Sequence, residues 1–396
     1  MEGNPHIIGL TGSFGSGCTT IAQKILAKTG YQFLSLSDAL KLQFKKETGK
    51  DPDNVPRKEL QDFGDAKRKE KLTIFAEMVA VQIRGDKDSA SKTWVVDSIR
   101  NPAEIRYFRA LSRNFFLFGV YAGKEERWKR VGAKYHGKRD QFETDDERDS
   151  GEDTPRYGQK VQDCFSEADV VFGNQVHYNS EAAEAFGKLR EEVLRYADLA
   201  GKPLSGRQPT PREMHMAMAY AAAQRSSCLQ RKVGAVVVDG RGAVISSGFN
   251  EVPEGESPCS KAWGKCFRAH SREDFVGKVT KSFTGMAEKE KDFEKLFKEH
   301  FRILDICRAL HAEENAILNL ARTGRSIAAA DCTLYTTTYP CRLCANKIAN
   351  VGFGRIVYVE PYPDKESEAI LKDVKCEFFE GVTYRAYFRV YGEEKP

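Results

Sequence analysis

Short apolar runs alternate with longer amphipathic stretches through the first half of the chain. Five of these runs have the length and composition of buried strands, and they cover residues 7–10, 32–36, 93–97, 115–121 and 168–172. Helical stretches lie between them, beginning at about residues 21 and 37. Strands that alternate with helices are typical of a parallel sheet covered on both faces. The pattern therefore predicts an α/β fold for this half.

A change of composition marks the end of this region. Residues 198–209 contain glycine and proline at short intervals, which is typical of a linker. Thr210, Pro211 and Glu213 then form a capping box with proline at the first helical position. Residues 232–239 and 243–250 are predicted to be two strands of a hairpin. We therefore predict one domain at 1–197, a linker at 198–209 and a second domain at 210–396.

The overall composition narrows the class of protein. Of the 396 residues, 41% are hydrophobic and 30% are charged, as in ordinary globular proteins. No apolar run approaches the about 18 residues of a membrane span, and the N-terminus lacks a secretory signal pattern. Ten dispersed cysteines favour a reducing, cytoplasmic location. A formal net charge of +5 gives only weak support for a nucleic-acid partner.

Two short motifs in the second domain carry metal-binding chemistry. The first is His311-Ala312-Glu313, and the second is Pro340-Cys341-Arg342-Leu343-Cys344. A catalytic zinc needs three protein ligands, which His311, Cys341 and Cys344 would supply. Glu313 would be the proton shuttle beside a water on the metal. This combination is the signature of zinc deaminases that act on nucleobases.

Local patterns place both motifs at helix starts. Apolar residues at helical spacing after Glu313 predict that His311 and Glu313 begin a helix. Pro340 is expected in the first turn of the next helix. A C-x-x-C pair also occurs in structural zinc sites and redox pairs, and Cys307, Cys332 or Cys376 could complete such a site. That alternative leaves Glu313 unexplained, so we favour a catalytic zinc.

A glycine-rich loop follows the first predicted strand. It consists of Gly12, Ser13, Phe14, Gly15, Ser16, Gly17, Cys18 and Thr19. A strand, a glycine-rich loop and a helix in this order form the context of a phosphate-binding loop. The spacing matches G-x-x-x-x-G-K-[ST], except that Cys18 replaces the lysine. The loop is expected to bind a nucleotide with Mg²⁺, whereas the missing charge speaks against efficient phosphoryl transfer. The alternative is a glycine turn without a ligand.

Two further features of the first domain fit a nucleotide site. Asp97 ends the third predicted strand, where a Walker-B-like acid would contact Mg²⁺. Residues 124–160 are dense in both charge signs, and Arg127, Arg130 and Arg139 are candidates for phosphate-binding side chains of a lid. The alternative is a solvated charged arm. Together these features resemble a small nucleoside- or nucleotide-kinase fold.

Several motifs of the second domain resemble those of deoxycytidylate deaminases. They are residues 225–228 (RSSC), 233–238 (VGAVVV), 248–250 (GFN), 307–313 (CRALHAE) and 340–344 (PCRLC). The resemblance covers roughly residues 210–382 and implies an α/β/α domain with a mixed sheet. It also implies that Asn250 contacts the deoxyribose, that Ala312 lies beside the substrate and that the chain forms a homo-oligomer. Residues 271–302 depart from the pattern as a charged insertion.

A second metal site is suggested by residues that precede the catalytic histidine. Cys259, Cys266, His270 and Cys307 have metal-like spacings, as in relatives with a structural zinc. The alternative is that the cysteines are buried as small apolar side chains.

The order of the two domains resembles that of bacterial anti-phage dCTP deaminases. The resemblance implies deamination of free dCTP and dCMP, depletion of the dCTP pool in antiviral defence, and control by the N-terminal domain. A nucleic-acid deaminase acting on tRNA or single-stranded DNA is the main alternative, although no basic stretch interleaved with aromatic residues supports it. Nucleic acid is otherwise expected only as a regulator. A nucleotide-sensing switch with secondary catalysis is a third hypothesis.

Overall fold

The structure, a computed structural model, describes residues 4–150, 157–176, 182–202, 207–282, 292–293, 296–297, 306–324, 328–360 and 365–392. The chain divides into two compact units. Unit 1 consists of Met1–Pro209 with Glu380–Pro396, and unit 2 consists of Thr210–Phe379. Within the described ranges, no helix combines the length and apolar character needed to cross a membrane.

Up to Gly201, strands alternate with helices along the chain, as predicted. In chain order they are β1 (His6–Thr11), α1 (Cys18–Ile21), β2 (Gln32–Ser35), α2 (Leu36–Thr48), α3 (Arg57–Glu70), α4 (Ile74–Gly85), β3 (Thr93–Asp97), α5 (Pro102–Leu111), β4 (Phe115–Tyr121), α6 (Lys124–Val131), α7 (Arg139–Ser150), α8 (Val161–Ser166), β5 (Val170–Gly173) and α9 (Ala182–Gly201). The helix after the glycine-rich loop begins at Cys18, earlier than predicted, and continues as a π-helical turn over Ala22–Leu26.

The remaining elements are α10 (Pro211–Ala223), β6 (Gly234–Val238), β7 (Val244–Phe249), α11 (Cys259–Trp263), α12 (Phe267–Ser282), α13 (Ala312–Arg322), β8 (Thr333–Thr338), α14 (Arg342–Val351), β9 (Arg355–Glu360), α15 (Lys365–Ile370), β10 (Lys375–Phe378), β11 (Gly381–Val382) and α16 (Tyr384–Tyr391).

Unit 1 is built on a six-stranded sheet in the order β11-β5-β4-β1-β3-β2. The five strands β1 to β5 pair in parallel, which confirms the predicted parallel sheet. The central strands are apolar on both faces: the neighbouring residues Ile7 and Ile8 in β1 and Phe116 and Leu117 in β4 are almost fully buried. Such continuous apolar runs are what a sheet covered by helices on both faces requires.

The C-terminal residues correct the predicted domain boundaries. Strand β11 pairs antiparallel with β5, and Thr383 Oγ1 donates to the Ala168 carbonyl at 2.7 Å. Val382 and Val390 are buried in the same apolar cluster as β1 and β4. Residues 380–396 therefore belong to unit 1, although we predicted them in the second domain. The linker also begins later than predicted. Helix α9 extends to Gly201, and Leu199 and Ala200 are buried.

Unit 2 contains a five-stranded mixed sheet in the order β10-β9-β8-β6-β7. Strand β6 pairs antiparallel with β7 and β8, whereas β8, β9 and β10 run parallel. The mixed sheet confirms that part of the predicted fold class. The predicted hairpin is β6–β7, and Thr210 caps α10 in a capping box with Glu213.

Helices cover both faces of this sheet. Ala235 and Val237 of β6 pack with Ala316 of α13 and Ile348 of α14 in one apolar cluster. On the other face α10 lies so close to β6 that a Cβ added to Gly234 would be 2.0 Å from the Ala219 carbonyl oxygen. Unit 2 is therefore a three-layer α/β/α arrangement, and α13 and α14 share a face.

The C-terminal helix is expected to stabilise unit 1. Val390→Ala removes a fully buried side chain from the core cluster and should lower the free energy of unfolding by about 2 kcal/mol. Phe388→Ala is the matched control on the same helix, because Phe388 is 81% exposed. Denaturant unfolding followed by tryptophan fluorescence measures both, since Trp94 and Trp128 lie in unit 1. Equal stability of the two variants would contradict the assignment of α16 to this core.

Candidate functional site

The three predicted metal ligands converge at the starts of two helices. His311 is the N-cap residue of α13 and Cys341 is the N-cap residue of α14, and both have extended backbones. Cys344 lies in the first turn of α14. The Nδ1 atom of His311 is 3.3 Å from the Sγ atom of Cys341 and 3.4 Å from that of Cys344. Two adjacent helix N-termini thus present one nitrogen and two sulfurs to the same point.

These donors fit a zinc ion. Tetrahedral zinc with bonds of about 2.0–2.3 Å separates its ligand atoms by about 3.6 Å, close to the spacing found here. Within the described residues, His311, Cys341 and Cys344 are the one set of three or more His, Cys, Asp or Glu donors whose ligand atoms all lie within 4.8 Å of one another. The structure therefore confirms that these residues come together as predicted.

One detail of the second motif was predicted wrongly. Pro340 does not lie in the first turn of the helix, because Cys341 is the N-cap residue and α14 begins at Arg342. Cys341 therefore precedes the helix with an extended backbone, and its sulfur lies 3.3 Å from His311 Nδ1.

Hydrogen bonds among the donors favour the ligand form of Cys341. Bonds with Cys344 and His311 lower the pKa of Cys341 to about 4. The same thiol pair raises the pKa of Cys344, which holds the shared proton. The hydrogen bond with Cys341 also raises the pKa of His311. Because zinc binds thiolates, the low pKa of Cys341 prepares it for a metal.

Glu313 lies beside the ligands without being one of them. Its side chain is 3% exposed, and burial raises the pKa of the carboxyl. Oε1 accepts a hydrogen bond from Thr336 Oγ1 at 3.2 Å, and Oε2 faces the Cys344 Sγ atom at 3.6 Å. A buried carboxyl at the edge of the donor set is in the position of a proton-transfer group.

Thr336 is a site residue that the sequence analysis missed. It is completely buried in β8, where its hydroxyl orients the Glu313 carboxylate. A signal was present in the strand pattern: residues two apart share a face, so Thr336 lies on the same face as buried Leu334. A threonine on the core face of a strand requires a polar partner, which is Glu313.

The close contact between β7 and α13 depends on Gly248. A Cβ at this position would lie 2.3 Å from the carbonyl oxygen of Ala312 and 2.3 Å from the amide nitrogen of Ala316. Only glycine permits this approach. It holds the start of α13, with His311 and Glu313, against the sheet.

A cavity of about 610 Å³ opens beside the donors, within the range of small-ligand pockets. His311, Glu313 and Cys341 line it together with the predicted substrate residues Asn250 and Ala312. The Asn250 amide accepts from Val233 N at 2.8 Å and donates to the Arg231 carbonyl. These bonds fix the loop before β6. The amide oxygen has a second lone pair, with which it can accept a hydrogen bond from a ligand. The sugar contact of Asn250 stays a prediction.

The candidate second metal residues lie near the same cavity. Cys259, Cys266 and Cys307 line it, and burial together with neighbouring cysteines raises the pKa of Cys307. Among the described residues these cysteines and His270 do not form a set of donors within 4.8 Å. Most of the predicted insertion after residue 282 lies outside the described residues. The second metal stays a prediction.

Unit 1 brings its predicted nucleotide residues together at the end of β1. All of residues 12–19 border a cavity of about 580 Å³. Gly17 is the N-cap of α1 with a φ of 98°, which favours glycine. Thr19 Oγ1 donates to Asp97 Oδ2 at 2.6 Å. Desolvation raises the pKa of Cys18 to about 12, so a neutral thiol occupies the lysine position.

The three arginines considered for a lid are engaged in other contacts. Arg127 pairs with Asp146 and donates to the Phe14 carbonyl. Arg130 donates to the carbonyls of Gly15 and Ser16 and to those of two residues after β5, whereas Arg139 pairs with two glutamates. Arg127 and Arg130 thus brace the loop from its carbonyl side, and a role in phosphate binding stays a prediction.

Zinc content tests the donor set. Cys344→Ser should lower the zinc bound per chain by one equivalent, because a neutral hydroxyl replaces a thiolate ligand. Cys332→Ala is the control, since Cys332 is buried in the same unit outside the donor set. Metal analysis after dialysis gives the ratio. Undiminished zinc in Cys344→Ser would place the metal elsewhere.

The same metal analysis tests the second site. Two zinc ions per wild-type chain, falling to one in a Cys259→Ser and Cys266→Ser variant, would support it.

Comparisons with known proteins agree with this site. Residues 209–360 match the family model for the cytidine and deoxycytidylate deaminase zinc-binding region. The deoxycytidylate deaminase of Schizosaccharomyces pombe is 34% identical over 171 residues, which are 43% of this chain and 43% of that protein. The deoxycytidylate deaminase of Enterobacteria phage T4 is 33% identical over 178 residues, which are 41% of this chain and 85% of that protein.

Among solved structures, the apo dCMP deaminase of the cyanophage S-TIM5 is 23% identical and aligns over 44% of this chain and 100% of that chain, with a TM-score of 0.29. The alignment with the fission yeast relative spans less than half of that protein. The alignment with the phage T4 relative covers 85% of that protein, and the residues matched by the family model include His311, Glu313, Cys341 and Cys344. Through this second unit, the chain belongs to the deoxycytidylate deaminase family.

Proposed function

We propose that the chain is a zinc-dependent hydrolase that deaminates free deoxycytidine nucleotides, converting dCTP, dCMP or both to dUTP and dUMP. The observation that carries this proposal is the position of Glu313. Its carboxyl is buried at the edge of the His-Cys-Cys donor set and lines a cavity of ligand size. A structural zinc site binds its metal through four protein ligands and transfers no proton, so it does not require a buried acid in this position.

The chemistry divides between the metal and the chain. A zinc ion held by His311, Cys341 and Cys344 would supply the Lewis acidity that makes water a nucleophile near neutral pH. The chain supplies the proton transfers. Glu313 takes a proton from the attacking water as oxygen adds to C4 of cytosine and delivers it to N3. It then carries the second water proton to the amine, which leaves as ammonia while the C4 carbonyl forms.

The hydrogen bond from Thr336 supports this role of Glu313. With Oε1 held by Thr336, the carboxylate keeps Oε2 directed toward the ligand sulfur and the reacting atoms. A carboxyl that is free to rotate would have to be oriented again in each of the two proton transfers, at a cost in rate. Thr336 is therefore a positioning residue in the proposed mechanism.

A free nucleotide is favoured over a polymer as the substrate. The relatives reported above are named deoxycytidylate deaminases, and the chain's formal net charge of +5 over 396 residues is small for a nucleic-acid enzyme. Deamination of tRNA or single-stranded DNA remains the alternative function. The preference between dCTP and dCMP depends on how the substrate phosphates are bound.

Unit 1 is proposed to bind a nucleotide with Mg²⁺ and to regulate the deaminase. The glycine-rich loop at the end of β1 and the Thr19–Asp97 pair support nucleotide binding. The neutral Cys18 favours nucleotide binding over phosphoryl transfer.

The proposed role in depleting the dCTP pool during antiviral defence rests on the resemblance in domain order. A cytoplasmic homo-oligomer is the expected form of the protein.

Replacing the acid tests the mechanism directly. Glu313→Gln keeps the size of the side chain but removes the proton carrier, so the deamination rate should fall by about 10²–10⁴-fold while zinc stays bound. Glu366→Gln is the matched control, because Glu366 lies on α15 and forms a surface ion pair with Arg342. Chromatography of the products measures the rate, and metal analysis measures zinc. Full activity in Glu313→Gln would refute the mechanism.

A substrate panel tests the proposed activity and its regulation. The purified protein should deaminate dCMP, dCTP or both, and leave a cytosine-containing single-stranded DNA and tRNA unchanged. Each reaction is run with and without ATP or dTTP as candidate ligands of unit 1. A Thr19→Ala variant should remove any effect of the added nucleotide, because it removes the proposed Mg²⁺ contact. Turnover of the polymers alone would establish the alternative function, and indifference to added nucleotides would refute regulation by ATP or dTTP.

A further inference from the structure

The cavity beside the donor set has a lining in which positive charge predominates. Its Lys, Arg, Asp and Glu residues, among those that the structure describes, are Arg231, Arg268, Arg272, Arg308, Glu251 and Glu313. Glu313 lies at the donor set. Glu251 accepts hydrogen bonds from Ser227 N at 2.9 Å, from Ser227 Oγ at 2.6 Å and from Val252 N, so this carboxylate is already engaged. The remaining charged residues of the lining are arginines.

Two of these arginines are paired with carboxylates of the chain. Arg231 forms an ion pair with Glu360, and Arg308 pairs with Glu256 at 2.5 Å. The Arg308 guanidinium also lies 4.7 Å from the centre of the Trp263 ring. A cation that is already paired adds less to the attraction for an anionic ligand than an unpaired cation does.

The other two arginines lie on helix α12 and line the cavity together. Arg268 and Arg272 are separated by about one helical turn, which places both on the same face of the helix. Phe267 and Ala269 of the same helix line the cavity as well. Helix α12 therefore forms one wall of the cavity, and Arg272 is half-buried in that wall.

Helix α12 does not neutralise Arg272 with its own acids. These acids, Glu273 and Asp274, form ion pairs with Lys265 and Lys278 instead. Arg272 Nε has no hydrogen-bond partner, and no ion pair of this guanidinium is found within the described ranges. An uncompensated guanidinium in a cavity of ligand size is suited to phosphate, which it can bind through two parallel hydrogen bonds.

Arg272 lies in the stretch where the chain departs from the deoxycytidylate deaminase motifs. That stretch covers residues 271–302, whereas His311, Glu313 and Cys341 in the same cavity belong to the motifs themselves. The relatives are named for deoxycytidylate, which carries a single phosphate. A cation that enters the cavity outside the family motifs is expected to serve a difference in substrate and not the shared chemistry at C4.

We propose that Arg272, supported by Arg268, binds the phosphates beyond the first in dCTP and thereby makes dCTP the preferred substrate of the deaminase site. The inference rests on the function proposed above and names the residues that choose between its two nucleotides. With the base at the donor set, the phosphates are left to the walls of the same cavity, and α12 is the wall with an uncompensated guanidinium. Each phosphate beyond the first adds negative charge, so the attraction to α12 grows from dCMP to dCTP.

Steady-state kinetics of the full zinc-bound chain with dCTP, dCMP and deoxycytidine as substrates tests the proposal. The wild type should have a higher kcat/KM for dCTP than for dCMP. Arg272→Gln should lower kcat/KM for dCTP by about tenfold, mainly through KM, because it removes a charged hydrogen bond that does not change during the reaction. It should leave kcat/KM for dCMP and for deoxycytidine nearly unchanged. Arg272→Lys retains the charge and should recover part of the loss.

Arg241→Gln is the matched control, because it removes the same charge from an exposed turn outside the cavity. It should leave the kinetics with all three substrates unchanged. Each assay is repeated with Thr19→Ala, in which the preference for dCTP should persist because it arises at the deaminase site. Loss of the preference in Thr19→Ala would place its origin in unit 1 and overturn the inference.

Two further results would overturn the inference while the deaminase function stands. They are equal kcat/KM values for dCTP and dCMP in the wild type, and equal losses for both nucleotides in Arg272→Gln. Thermal unfolding verifies that each variant is folded, and Arg268→Gln is a second variant that should also lower kcat/KM for dCTP. No turnover of any of the three substrates by the wild type would instead refute the proposed function, and the inference with it.

Discussion

The convergence of two helix N-termini is the constraint on which unit 2 depends. A metal site of one histidine and two cysteines needs three atoms from two chain segments within hydrogen-bond distance of one another. Helices α13 and α14 provide this because His311 and Cys341 are their N-cap residues. The sheet beneath must then hold both helix starts at a fixed separation. Gly248 does so for α13 by admitting the Ala312 carbonyl at a distance that no side chain would tolerate.

Unit 1 also has a helix N-terminus at its candidate site, with a different outcome. There a strand leads through Gly17, in the left-handed conformation, into α1, and the buried Asp97 of a neighbouring strand accepts a hydrogen bond from Thr19 in the first helical turn. In unit 2 the helix starts carry ionisable ligands, so the site can hold a metal and act on a bound molecule. In unit 1 the corresponding position carries a neutral thiol. The proposed phosphate site therefore lacks the positive charge that phosphoryl transfer uses, which favours nucleotide recognition over phosphoryl transfer.

The parts of this structure that sequence predicts are those with local signals. The strands Thr93–Asp97 and Phe115–Tyr121 are continuous apolar runs and were predicted with the observed bounds. The metal ligands follow from two short motifs. Strand β11 could not be predicted, because it has only two residues and exists through its pairing with β5, about two hundred residues earlier in the chain.

The path of the chain bears on how one unit could control the other. The chain leaves unit 1 after Pro209 and returns to it at Glu380, so unit 2 is connected to unit 1 at both of its ends. Those ends are held together inside unit 2, where Arg212 pairs with Glu377 at 3.0 Å. A ligand in unit 1 affects the deaminase only as far as it binds two states of the chain with different affinity, and the effect must be reciprocal. One of these connections follows α9, and the other precedes β11. A change in unit 1 that moves α9 or the edge formed by β5 and β11 would therefore act on a covalent connection to unit 2.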